Sequence, residues 1–180
     1  QSTCQACNPG FFSNIEGSIG CTPCPVGRTA IASGLEDCLL CIPGKYLATE
    51  GSSTQCKLCA IGKQAPVPGS RECLDCAKGR YQSVEGSATP CLPCAAGLES
   101  PTPGASACVD CAVGKEARYS GLEECSACAV GYYADEVGTV NCKICSAGVF
   151  QPGTPDDHNV YQDEKGQDTC KTCPAGERAE

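Results

Sequence analysis

Cys4-Gln5-Ala6-Cys7-Asn8-Pro9-Gly10-Phe11-Phe12 runs through a short loop into Cys21-Thr22-Pro23-Cys24. The stretch is a Cys-x-x-Cys pair, a loop that opens on glycine and an aromatic, and a second Cys-x-x-Cys pair. The chain repeats this unit from end to end. Its ten pairs are Cys4/Cys7, Cys21/Cys24, Cys38/Cys41, Cys56/Cys59, Cys73/Cys76, Cys91/Cys94, Cys108/Cys111, Cys125/Cys128, Cys142/Cys145 and Cys170/Cys173, and the loops between them hold 13, 13, 14, 13, 14, 13, 13, 13 and 24 residues. A fixed period of about 17 residues is the mark of a repeat array in which each unit packs on its neighbours.

Every loop has glycine as its third residue, from Gly10 and Gly27 through to Gly131 and Gly148. Such regularity points to a positive φ or a close backbone approach. A second glycine, such as Gly17, Gly34 or Gly51, lies shortly before the next cysteine and suggests a hairpin with a turn at its tip. Two residues after the first glycine, one class of loop carries an aromatic: Phe12, Tyr46, Tyr81, Tyr133 and Phe150. The other class lacks it, as in Gly27-Arg28-Thr29, Gly62-Lys63-Gln64, Gly97-Leu98-Glu99 and Gly114-Lys115-Glu116. The classes alternate, so the true repeat is about 34 residues, with a slip where two non-aromatic loops follow each other. The aromatics are read as packing units over a disulfide or a neighbouring loop. An exposed recognition stripe is the alternative. With 13 Pro and 21 Gly, helical periodicity is broken throughout, and short strands in small hairpins are expected.

Composition explains why the cysteines are needed. Leu, Ile, Val and Phe make up 28 of the 180 residues, with no Trp and no Met. Burial on that scale cannot offset roughly 1–2 kcal/mol of backbone entropy per residue. Twenty cysteines mark a disulfide scaffold made in an oxidising compartment. A crosslink that closes about 15 residues removes unfolded-state entropy worth roughly 3 kcal/mol in the chain-entropy model. The net charge of −8 argues against nucleic acid or an anionic membrane as a partner, and no stretch is apolar enough to span a bilayer. The first residue is Gln1 and the last unit stops short, so a segment of a longer chain or a processed product is expected.

Cys-x2-Cys-x13-Cys-x2-Cys is also a zinc spacing. Against an intracellular zinc array stand the acidic balance and the equal spacing inside and outside any four-cysteine block. Redox Cys-x-x-Cys sites need a helix start in a βαβ setting, which ten tandem copies in loops lack. With a single histidine no repeated nucleophile arrangement exists. No enzyme activity, no cofactor and no catalytic residue are expected.

Spacing alone does not fix disulfide connectivity. In a ladder, the second cysteine of one pair bonds the first of the next: Cys7–Cys21, Cys24–Cys38, Cys41–Cys56 and onward to Cys145–Cys170, with Cys4 and Cys173 bonding elsewhere. Crossed pairing in blocks, Cys4–Cys21 with Cys7–Cys24, leaves none over. The ladder is favoured because it tolerates the slip in loop class. Either pattern is local and gives a small disulfide-rich fold: a tandem cysteine-rich repeat rod with short β-hairpins and little or no helix. Residues 1–145 form the regular repeats, 146–169 the expanded loop of the last, and 170–180 the start of another.

The expanded loop holds Asp156, Asp157, His158 and Asp163. A solvated surface insertion is the plainest reading. A lateral contact is the functional one, and a cation site from the three aspartates is the less favoured. Asn8, Asn14, Asn141 and Asn159 begin no glycosylation sequon, whereas Ser100-Pro101-Thr102-Pro103 and Thr154-Pro155 leave room for O-linked sugar.

Cys4-Gln-Ala-Cys-Asn-Pro-Gly-Phe-Phe12, followed by Cys21-x-x-Cys-Pro-x-Gly-Arg-Thr29 and Gly34-Leu-Glu-Asp-Cys38, resembles the cysteine-rich, EGF-like stretch of ephrin receptors. There too a non-aromatic loop follows an aromatic one. Cys41-Ile-Pro-Gly-Lys-Tyr46 to Cys56 is also similar to the one-disulfide modules of tumour-necrosis-factor receptors. The resemblance spans the chain in tandem. It implies extracellular stalks and coats, as in protist and algal surface proteins and the hair-like appendages of flagella (mastigonemes), but a module does not fix a role. The expectation is an extracellular, secreted structural protein, a rod or filament subunit of a cell-surface coat or appendage, whose partners are further copies of itself or other surface proteins. A receptor-type stalk that grips a protein ligand is the alternative.

Overall fold

The computed structural model describes residues 4–145, 160–161 and 165–172. Within them there is no helix, and eighteen two-residue strands pair into nine two-stranded hairpins. Phe11–Phe12 pairs antiparallel with Thr22–Pro23, placing Phe11 opposite Pro23 and Phe12 opposite Thr22. Lys45–Tyr46 pairs in the same way with Lys57–Leu58. The hairpins are short because each is closed at once by sulfur. Cys24 donates its N–H to the Gly10 carbonyl (2.9 Å), and just beyond the strands Cys7 and Cys21 are bonded with their Cα atoms 5.7 Å apart.

The chain divides into two compact units. One comprises Gln1–Ala77, Tyr81–Leu92 and Pro103–Ala107, and the other Lys78–Arg80, Pro93–Thr102 and Cys108–Glu180. In the first, each loop is bonded through its backbone to the next. The N–H groups of Gly10, Gly27, Gly44 and Gly62 donate to the carbonyls of Ala30, Leu47, Ala65 and Gln82 at 2.7–2.8 Å. The second glycine of each following loop returns the bond, as Gly51 N–H does to Cys24 O (2.7 Å). The second unit repeats the pattern: Gly79, Gly97 and Gly114 donate to Ser100, Ala117 and Ala134.

Gly27 shows why the first glycine is needed. Its φ is +79°, a conformation that costs a residue with a side chain roughly 1–2 kcal/mol. A Cβ there would also sit far inside contact distance of the Gly69 carbonyl, two loops further on. Gly10 faces Gly51 and Gly44 faces Gly86 in the same way, and in the second unit Gly97 faces Gly138 and Gly114 faces Gly166. A loop therefore packs on its neighbour and on the loop after that, in aromatic and non-aromatic loops alike.

The core is made mostly of disulfides and small side chains. In the first unit Cys24, Ala30 and Cys38 are buried together, with Phe12 and Leu35 packed against them. In the second, Cys111, Ala117 and Cys125 are buried with Leu122. The third residue after the first glycine is the recurrent core position: Ala30, Leu47, Ala65, Gln82, Ser100, Ala117 and Ala134 are all buried. Large apolar side chains lie mostly outside. Leu39, Leu40, Leu58, Leu74 and Leu92, all within Cys-x-x-Cys pairs, are exposed.

Candidate functional site

The feature that organises the molecule is its run of sulfur bonds. Nine disulfides join Cys7–Cys21, Cys24–Cys38, Cys41–Cys56, Cys59–Cys73, Cys76–Cys91, Cys94–Cys108, Cys111–Cys125, Cys128–Cys142 and Cys145–Cys170. This is the ladder and not the crossed pattern. Each sulfur in it is spent on another sulfur, and no cluster of side chains suited to a metal ion occurs among the described residues. Cys4 is free and exposed. Cys173 lies outside the described residues, as do Phe150, Asp156, Asp157, His158 and Asp163.

The second cysteine of a pair is the more deeply set. Cys24, Cys76, Cys94, Cys111 and Cys128 are fully buried. The first cysteine varies: Cys38, Cys91 and Cys125 are buried, whereas Cys21 is exposed. Gly34-Leu35-Glu36-Asp37-Cys38 and Gly121-Leu122-Glu123-Glu124-Cys125 share a leucine just after the second glycine, and it is this leucine that packs on the bond.

The aromatics Phe12, Tyr46, Tyr81 and Tyr133 are half-buried. Phe12 lies against the Cys24–Cys38 bond and bridges to Leu35. Beside Tyr133, the Lys143 ammonium stands 6.0 Å from the ring centre and 2.6 Å from Asp135 Oδ1. The hydrogen bond from Lys143 holds the Asp135 carboxyl below its ordinary range, and the same bond raises Lys143.

In the non-aromatic loops the equivalent position does a job that the sequence did not disclose. Gln64 Oε1 accepts the N–H of Cys91 (2.9 Å), and Glu116 Oε2 accepts that of Cys142 (2.6 Å). Glu99 Oε2 accepts the N–H of Cys125. Thr29 Oγ1 donates to the carbonyls of Thr54 (2.6 Å) and Ser52 (3.3 Å). Each side chain reaches the end of the next loop and satisfies a backbone group beside its closing cysteine. Glu116 is nearly buried and is also paired with Arg118 Nε at 2.8 Å. The available signal was positional: Thr29, Gln64, Glu99 and Glu116 are all hydrogen-bonding residues at one place in the repeat.

No side-chain polar atom is buried without a partner among the described residues. An open depression beside Cys4 is bordered by Phe11, Ile15, Ile19 and Leu35. Among the described residues no helix is long and apolar enough to cross a membrane.

A search of curated proteins finds no match. The family model described as tyrosine-protein kinase ephrin type A/B receptor-like matches three stretches, residues 1–34, 62–111 and 114–155. Together they cover more than two-thirds of the chain. The matched repeats are a non-catalytic, cysteine-rich module, and with nine disulfides they mark an extracellular domain suited to an oxidising environment. On these matches the chain belongs to the ephrin type A/B receptor-like family of cysteine-rich repeats.

Proposed function

We propose that the chain is a secreted structural protein, an extended spacer or filament subunit of a cell-surface coat or appendage. The observation that carries this reading is the unvarying bond between loops. The first-glycine N–H donates to the core-position carbonyl of the next loop in seven consecutive repeats, from Gly10 to Gly114. Effort is spent on continuity along the array, and its recurring outward side chains are available for lateral contacts with further copies or with other surface proteins. Electron microscopy of native material tests it: ordered filaments or coats support it, and isolated stalks contradict it. Solution scattering gives a second test. A compact domain of this length has a radius of gyration of roughly 16 Å, and a value near that would overturn an extended spacer.

A receptor-type stalk that binds a protein ligand is the second reading. Family membership favours it, as do the exposed leucines of the Cys-x-x-Cys pairs. Isolated stalks in the microscope, with saturable binding of one surface protein, would support it.

A further inference from the structure

The order of the bonds defines two routes along the chain. The polypeptide passes through every loop. The shorter covalent route crosses each disulfide and then only the two residues inside a Cys-x-x-Cys pair: Cys7 to Cys21, Thr22-Pro23, Cys24 to Cys38, Leu39-Leu40, and so on. The Cα–Cα span of a bond is 5.6 Å for Cys41–Cys56 and 5.9 Å for Cys145–Cys170. The sequence separations of those two bonds are 15 and 25. Loop length thus has no bearing on the length of the short route.

We propose that tension along this protein is carried by the disulfides and the Cys-x-x-Cys dipeptides, and that the loops lie outside the load path. The proposal rests on the structural reading above and adds its mechanics. Under tension the hydrogen bonds between loops yield first. Extension then stops when the short route is taut, with every loop still closed by its own bond. At about 3.5 Å per extended residue, the oxidised chain reaches only about 190 Å between its ends, against about 630 Å for the reduced polypeptide. Because a loop bears no tension, it can lengthen, as the loop closed by Cys145–Cys170 does, or change its outward residues without weakening the tether.

Single-molecule stretching of the full oxidised chain, with handles at its two ends, tests this. The expected contour length is about 190 Å. A Cys59→Ser/Cys73→Ser variant should be longer by about 43 Å, because one loop then joins the load path. Dithiothreitol added to the unaltered chain under constant force should release steps of about 43–47 Å, and a single step of about 80 Å from Cys145–Cys170. An oxidised chain that extends close to 630 Å, or steps unrelated to loop length, would overturn the proposal. The measurement reads the load path wherever the protein is used. A chain that stops near 190 Å but is found only as isolated stalks would keep this inference and refute the filament reading.

Discussion

Cys142 donates its backbone N–H to Oε2 of Glu116, 2.6 Å away and 26 residues earlier in the chain. That bond couples the end of one loop to the start of the loop before it. Its counterparts at Gln64 and Cys91, and at Glu99 and Cys125, do the same. In a fold with so little apolar interior, such a latch takes a place that a side chain in an oily core would fill elsewhere.

Replacing Glu116 by Leu should leave the Cys142 N–H without a partner, at a cost of about 1–3 kcal/mol. Glu116→Gln keeps an acceptor, as Gln64 shows, and should cost much less. Hydrogen exchange at the Cys142 amide checks this: markedly faster exchange in the leucine variant, with little change in the glutamine variant.

Gly27→Ala and Gly34→Ala separate two effects within one loop. Both residues have positive φ, +79° and +74°, so each substitution carries a strain of roughly 1–2 kcal/mol. At Gly34 the new methyl meets only the Ala6 side chain, at 3.4 Å. At Gly27 it runs into the backbone of Gly69, which cannot step aside without moving a loop. Denaturation of the disulfide-intact variants should show Gly27→Ala to be clearly the more damaging.

Reduction should proceed in order of access, since exchange requires a thiolate to reach a sulfur. Cys7–Cys21, with Cys21 exposed, should open first. Cys24–Cys38, Cys76–Cys91 and Cys111–Cys125, buried at both ends, should open last. Timed dithiothreitol treatment, alkylation and mass spectrometry read this order directly. Full reduction should abolish the structure, and the loss of circular dichroism and of protease resistance measures it.

Much of this was legible in the sequence, and the gaps have physical causes. The glycines announced themselves by regular spacing. What they approach was hidden, because a positive φ declares a conformation and not a neighbour, so the contact of Gly27 with Gly69 could not be read. Ala30, Ala65 and Ala117 carry little hydrophobic signal because they are small, so the sequence does not mark them as core, whereas the half-buried Phe12 and Tyr46 stand out. In the sequence Thr29, Gln64, Glu99 and Glu116 are set apart only by the aromatic they lack. Their shared hydrogen-bonding capacity becomes meaningful only once the next cysteine's N–H is placed against it. Glu99 and Glu116 stand in consecutive loops, and each latches its own successor. The cysteine spacing fitted two pairings, since both close local loops of similar size.

The surface pair Asp135–Lys143 gives a pH signature. With its carboxyl held below the ordinary Asp value of 3.8, Asp135 favours the folded state at neutral pH, and that contribution is lost as pH falls through the lowered value. Lys143, raised by the same bond, keeps its contribution below the ordinary Lys range and loses it as pH rises through the raised value. Both residues are exposed, so salt should weaken the effect. An NMR titration should find Asp135 low, and Lys143→Met should return it toward 3.8.

Mapping the sulfur bonds of the unreduced chain is the most direct test of the disulfide ladder, in which each bond closes one loop. Digestion without reduction, followed by fragmentation of the linked peptides, should recover Cys24 joined to Cys38 and Cys59 joined to Cys73, with no bond skipping a loop. Recovery of Cys21 with Cys4 and Cys24 with Cys7, or of free thiols at these positions after chelation, would contradict the account.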